Sequence, residues 1–254
     1  MEMVRRGLAA TRSQARDAIV AGRVLVGGSV AGKAGTMIAP EDAVALAGEA
    51  RPYASRAGEK LAAALDRFRV DPSGLECLDA GAGSGGFTDV LLRRGAAHVT
   101  AVDVGYGQFV WALRTDPRVT LLERFNVRDL EPEQLRRPPA VVVADLSFIS
   151  LTKVLPALAG VMAPEADAVL LVKPQFEAGR NEVGGGGVVR DPAIWRRTVG
   201  SVAEACRRHG LGPLGVMASP VRGPAGNVEF PLHVRRGARG RDLDLERAVD
   251  EGAA

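Results

Sequence analysis

The rhythm of hydrophobic positions changes near residue 50. Ahead of it, Ala15, Ala18 and Ile19 recur at helical spacing behind Thr11-Arg-Ser-Gln14, which has the form of a capping box, and Gly22 suits a left-handed helix end. Val24-Leu-Val26 and Ser29-Val30 then flank Gly27-Gly28, a two-residue hairpin signal, and Ala43 to Ala47 reads as another strand. Residues 1–50 therefore predict a small α+β module. Residues 51–58, Arg-Pro-Tyr-Ala-Ser-Arg-Ala-Gly, break the pattern and read as a linker. Glu59 to Phe68 predicts a helix with Leu61, Leu65 and Phe68 on one face.

Beyond that helix, short apolar runs at Cys77-Leu78, Val99 to Val102, Val119 to Leu122, Val141 to Val143 and Val169 to Val172 predict strands. Helical stretches at 87–94, 108–115, 151–161 and 193–208 separate them. Such alternation predicts a mostly parallel sheet with helices on both faces, an α/β domain over 59–236. Residues 237–254, rich in arginine, acid and glycine, read as a flexible tail.

Composition narrows the function classes. With 254 residues and 46% hydrophobic content the chain can bury a sizeable core. No apolar run approaches the ~20 residues of a membrane span, and Met1-Glu-Met-Val-Arg-Arg leads into no secretory signal, so a soluble, cytoplasmic protein without membrane contact is expected. Cys77 and Cys206 stand in unrelated contexts, which predicts two reduced thiols and no metal site. The net charge of +3 is mild, but residues 4–33 hold Arg5, Arg6, Arg12, Arg16, Arg23 and Lys33 against the single acid Asp17. Arg12 and Arg16, one helical turn apart, could both reach a phosphate backbone. The alternative is a helix-hairpin scaffold whose arginines are merely solvated.

Candidate chemistry lies in the larger domain. Leu78-Asp79-Ala-Gly81-Ala-Gly83-Ser-Gly85-Gly86-Phe87 joins the first strand to its helix, where glycines let the backbone approach a ligand and the helix start offers free N–H groups. Gly81, Gly83 and Gly86 satisfy the G-x-G-x-x-G spacing of dinucleotide sites, and Asp103, ending the second strand, could hold ribose hydroxyls of either cofactor class. Asp79 decides between them, because a carboxylate there suits the cationic amino-acid end of S-adenosylmethionine and would repel a pyrophosphate. Asp145 and Lys173 each end a strand at the edge where open α/β sheets place ligands. Only four lysines occur among 33 basic residues, and two of them, Lys60 and Lys173, stand near such chemistry; a titratable amine can do what a guanidinium cannot. A structural ion pair is the competing reading of Asp145 and Lys173.

These residues carry a resemblance. Arg12-Ser-Gln-Ala-Arg16, Ser55-Arg-Ala-Gly-Glu-Lys60-Leu, Gly85-Gly-Phe-Thr88, Asp103-Val-Gly-Tyr-Gly-Gln108, Val143-Ala-Asp-Leu-Ser-Phe-Ile149, Lys173-Pro-Gln-Phe-Glu177, Ser219-Pro and Gly226-Asn-Val-Glu-Phe230 resemble the hemolysin A (TlyA) family over nearly all of residues 5–234. That family joins an S4-like RNA-binding domain to a Rossmann-like methyltransferase domain similar to the FtsJ-type ribose 2′-O-methyltransferases. The resemblance implies S-adenosylmethionine as cofactor, bound by Asp79, Gly81, Gly83, Gly85, Gly86, Phe87, Asp103 and Asn126. It implies a catalytic set at Lys60, Asp145, Lys173 and Glu229, and methylation of a cytidine ribose in ribosomal RNA or ribosomal subunits, with no obligate protein partner. The basic residues of the first module would bind the RNA. A related binding protein without turnover is the second reading.

The chain departs from the family at several points. Its first helix looks shortened, Gly85 and Phe125 stand where threonines are expected, Gly185 replaces a lysine and Trp195 a histidine. Gly184 to Gly187, four glycines in a row, read as a mobile loop, either a lid or a plain connection.

Overall fold

The computed structural model describes residues 1–254 apart from 10, 21, 32 and 48–51, and the chain divides into two compact units, Met1–Arg51 and Pro52–Ala254. In the first unit, α1 (Glu2–Arg5) and α2 (Arg12–Val20) precede β1 (Val24–Val26), β2 (Ser29–Val30) and β3 (Val44–Leu46). The Gly27-Gly28 turn sets the antiparallel β1–β2 register, and β3 pairs on the other side of β1. Thr11 Oγ1 accepts from Gln14 N at 3.2 Å, which caps α2. Met3, Ala15, Ala18, Val24 and Ala31 form the small core.

The second unit begins with α3 (Ala57–Phe68) and continues through β4 (Glu76–Ala80), α4 (Gly86–Arg93), β5 (His98–Asp103), α5 (Trp111–Arg114), β6 (Val119–Glu123), β7 (Val141–Ala144), α6 (Leu155–Val161), β8 (Asp167–Val172), α7 (Pro174–Glu177), α8 (Pro192–Arg208), β9 (Leu211–Val216), β10 (Phe230–Arg236) and α9 (Leu245–Ala253). One seven-stranded sheet runs β6-β5-β4-β7-β8-β10-β9, parallel from β6 to β8, with β10 antiparallel to both its neighbours. Strand order reverses between β4 and β7, the crevice where doubly wound sheets hold ligands. Every residue of β7 is buried, as a strand covered on both faces requires. Leu78 and Ala80 point into a core with Leu155, Leu158, Val199 and Val202, while Cys77 joins the opposite core with Leu61, Leu65, Val90 and Leu91.

Three expectations change. Residues 245–253 are helical and packed, not a flexible tail: Ala248 and Val249 are buried, Asp244 caps the helix by accepting from Arg247 N at 3.0 Å, and Gly252 abuts Val228. The spacing of Leu245, Ala248, Val249 and Gly252 makes a narrow stripe of small residues, hidden in the sequence by the charges around it. Of the expected linker, Arg51 lies outside the described residues. The rest belongs to the second unit: Ala54 N donates to Asp89 Oδ2 at 2.8 Å, and the helix already starts at Ala57. The helix expected over 108–115 shortens to α5, because Val110 is extended (ψ 131°) and gives its N–H to the Ser84 carbonyl. Among the described residues no helix is long and apolar enough to cross a membrane.

Candidate active site

At the carboxyl edge of β4, β5 and β7 lies a cavity of about 550 Å³, lined among others by Gly81, Gly83, Ser84, Asp103, Asn126 and Asp145. Chain geometry makes it. Gly81 turns at φ 87° and gives its N–H to the Val102 carbonyl at 2.8 Å; a Cβ there would lie 2.5 Å from the Asp145 carbonyl oxygen. Asp103 then fixes both rims, accepting from Gly83 N at 2.7 Å and Gly105 N at 2.6 Å. Each of its oxygens keeps a lone pair for a further donor, such as a ribose hydroxyl. Asn126 Oδ1 accepts from Arg128 N at 3.1 Å and caps the short 3₁₀ turn beyond β6.

Four residues expected to bind the cofactor do not line this cavity. Asp79 is fully buried beneath it: on a strand its side chain must alternate with Leu78 and Ala80, so it faces α4 and accepts from Thr88 Oγ1 at 2.7 Å. Burial, with Asp145 and Asp103 nearby, pushes its carboxyl up to about 7, opposed by the Thr88 hydrogen bond. Its Oδ1 has no hydrogen-bond partner among the described residues. Gly85 and Gly86 shape the turn into α4, and Phe87 is a core residue. Conversely, Ser55, Ser84, Gln108 and Ser147, to which the sequence assigns no role, do line the cavity; a serine or glutamine by itself carries no chemical signal.

The four candidate catalytic residues form two ion pairs at one edge. Lys173 Nζ lies 2.5 Å from Asp145 Oδ1 and donates to Ser147 Oγ at 3.2 Å, the first a close charge contact and the second an aligned hydrogen bond. Lys60 Nζ donates to Glu229 Oε2 at 2.5 Å, both side chains being buried. Strand register brings the pairs together: Phe230 pairs with Val172, so Glu229 enters β10 where Lys173 leaves β8. Lys173 and Asp145 line the cavity; Lys60 and Glu229 are buried and do not line it.

Phe148 is another lining residue to which the sequence assigns no role. It is 92% exposed and held at φ 62°, a costly backbone for a bulky residue, and its ring lies 5.3 Å from that of Phe176. It borders both the main cavity and a neighbouring hollow lined by Arg128 and Lys153.

In the first unit Arg12, Arg16 and Lys33 are exposed. Arg5 and Arg6 differ: both pair with Glu2, and Arg6 also donates to the carbonyls of Asp42 and Pro40 at 2.6 and 2.8 Å. Glu2 sits just ahead of the basic stretch and one turn from both arginines, so Arg6 holds the fold together instead of standing free. Arg23 is half-buried, and its Nε finds no acceptor among the described residues.

Both units match known families. The FtsJ-like methyltransferase model matches residues 53–236 and the S4 domain model residues 2–44. The 16S/23S rRNA (cytidine-2'-O)-methyltransferase TlyA of Mycobacterium tuberculosis is 50% identical over 258 residues, covering 99% of this chain and 96% of that protein. This chain belongs to the hemolysin A (TlyA) family of FtsJ-like methyltransferases. Hemolysin A of Brachyspira hyodysenteriae, another TlyA-family relative, is 38% identical over 89% of this chain and 95% of its own. A Streptococcus thermophilus protein of known structure that carries the hemolysin name superposes with a TM-score of 0.79 at 38% identity, covering 98% of this chain and 93% of that one.

The departures from the TlyA-family pattern have local accommodations. At Gly85, φ is 95° and a Cβ would lie 2.5 Å from Leu113, so the packing of Leu113 and Phe109 takes the space a threonine would need. Trp195 is buried, donates to the Val189 carbonyl at 2.9 Å and packs against Phe230, a structural role. Phe125 lines the cavity and extends its apolar wall.

Proposed function

We propose that this TlyA-family protein uses S-adenosylmethionine to methylate a ribose 2′-hydroxyl, that of a cytidine in ribosomal RNA. The observation that carries the reading is the Lys173–Asp145 pair in the wall of the cavity built by Gly81, Gly83 and Asp103. The cavity suits the cofactor: Asp103 offers spare acceptors to ribose hydroxyls. When bound, the cofactor supplies an electrophilic methyl group. The chain must then orient a weakly acidic hydroxyl in line with that methyl and take charge of its proton. Lys173 Nζ, fixed by Asp145 and Ser147, holds the hydroxyl oxygen and accepts its proton as the methyl passes from sulfur to oxygen. Lys60 and Glu229 fix the start of β10 beside it. Arg12, Arg16 and Lys33 of the S4 domain dock the RNA through its phosphates.

Phe148 serves as a platform for the base of the target nucleotide, which has to leave its helix to bring a ribose hydroxyl to Lys173. Phe148→Ala is expected to raise KM for RNA by roughly tenfold or more, the worth of one base–aromatic stack, with cofactor affinity unchanged. Equal KM values for the two proteins would remove Phe148 from the substrate site.

The deciding assay is transfer of labelled methyl from S-adenosylmethionine to ribosomal RNA and to intact ribosomal subunits. Product is located by resistance of the modified linkage to alkaline hydrolysis. Label on a cytidine 2′-oxygen is the expected result. Cofactor binding with no transfer to any RNA would make the protein a binder of the same fold.

A further inference from the structure

The four glycines at 184–187 form a pinned hairpin. Gly184 and Val188 make an antiparallel bridge, with Gly184 N donating to the Val188 carbonyl and Gly187 N to the Gly184 carbonyl, each at 3.1 Å. The pin is Asn227, only 3% exposed, whose side chain holds the tip and the strand that leaves it: Nδ2 donates to the Gly187 carbonyl and Oδ1 accepts from Val189 N, both at 2.9 Å. An amide can do this because it carries a donor and an acceptor on one planar group. The Asn227 carbonyl accepts from Gly223 N at 2.9 Å, and two residues later Glu229 takes Lys60 and gives its carbonyl to Ser219 N at 2.8 Å. The segment 227–229 precedes β10 at the edge where β8 ends in Lys173. The hairpin therefore stands beyond the catalytic edge of the sheet.

Its tip is exposed backbone. A Cβ at Gly185, Gly186 or Gly187 would meet nothing within 4 Å, so packing does not demand glycine at any of the three. The amides of Gly185 and Gly186 donate to no acceptor among the described residues, and the exposed Arg190 guanidinium lies beside Gly184. Successive bare N–H groups next to a guanidinium attract anionic oxygens. We infer that Asn227 is a positioning residue that holds this hairpin against the start of β10, so that its bare backbone meets the phosphates flanking the target nucleotide. The inference rests on the RNA-methylating reading above.

The test uses the full chain and intact ribosomal subunits. Affinity is measured with S-adenosylhomocysteine present, alongside KM, kcat, cofactor affinity and melting temperature. Asn227→Ala loses two hydrogen bonds and is expected to raise the RNA dissociation constant and KM by roughly tenfold, with cofactor affinity kept. Asn227→Asp keeps the size and one bond but turns an oxygen toward the Gly187 carbonyl, and is expected to be at least as impaired. Gly185→Glu should weaken RNA binding several-fold at low salt, an effect that fades as salt screens it, whereas Gly185→Gln binds as the wild type does. Indistinguishable Gln and Glu variants would overturn the inference, as would an Asn227→Ala variant with lowered melting temperature and unchanged RNA binding. Binding is read without turnover, so a wild type that transfers no methyl refutes the proposed function and still leaves the hairpin measurable.

Discussion

Lys173→Ala is expected to lower methyl transfer to RNA by about 10²–10⁴-fold, the range of a positioned proton-handling group. Cofactor affinity should stay within roughly twofold, because the loss falls on the transition state rather than on binding. The amine lies 2.5 Å from Asp145 and 3.2 Å from Ser147 in the cavity wall, so removing it leaves the Asp103 rim and the glycine turn intact. Lys173→Arg should fail to rescue. A guanidinium keeps the charge but is planar, longer and never deprotonated, and it cannot occupy the site of a compact ammonium between Asp145 and Ser147. Single-turnover transfer at saturating cofactor, with calorimetric cofactor titration, separates the two quantities. An arginine variant with wild-type turnover would mean that Lys173 supplies only positive charge and that its proton takes no part.

Most of the sheet was legible because buried parallel strands advertise themselves as apolar runs. Val141–Ala144 and Asp167–Val172 needed no further context. The strand over Leu211–Val216 was not, since Gly212, Pro213 and Gly215 interrupt it. Proline is tolerated there because β9 is the edge of the sheet, where the Pro213 carbonyl accepts from Arg241 N at 2.9 Å. At the site, residue type and spacing offer candidates but do not say where each side chain points. Asp79 carries the right charge next to the right glycines, yet the two-residue period of a strand turns it under the loop. Phe148 went unnoticed for the converse reason. Its significance comes from exposure and a left-handed backbone, and neither is written in the letter.

The second large effect separates support from chemistry in the Lys60–Glu229 pair. Both side chains are buried, 7% and 1% exposed, so truncating either strands a charge inside the protein. Glu229→Ala is expected to cost about 3–5 kcal/mol of stability, the usual penalty for breaking a buried pair from one side. Activity lost in that variant says nothing about mechanism, because the start of β10 and the Lys173 edge beside it loosen together. The informative protein is Lys60→Met with Glu229→Leu, which removes both charges and keeps the volume. Such replacements are neutral or stabilising by about 1–4 kcal/mol, so its denaturant midpoint should return to the wild-type value or exceed it. If the pair contributes its field to the reaction, this refolded variant still transfers methyl far more slowly than wild type while binding cofactor normally. Full activity in the stable double variant would assign the pair to architecture alone and leave Lys173 and Asp145 as the whole of the proton-handling machinery.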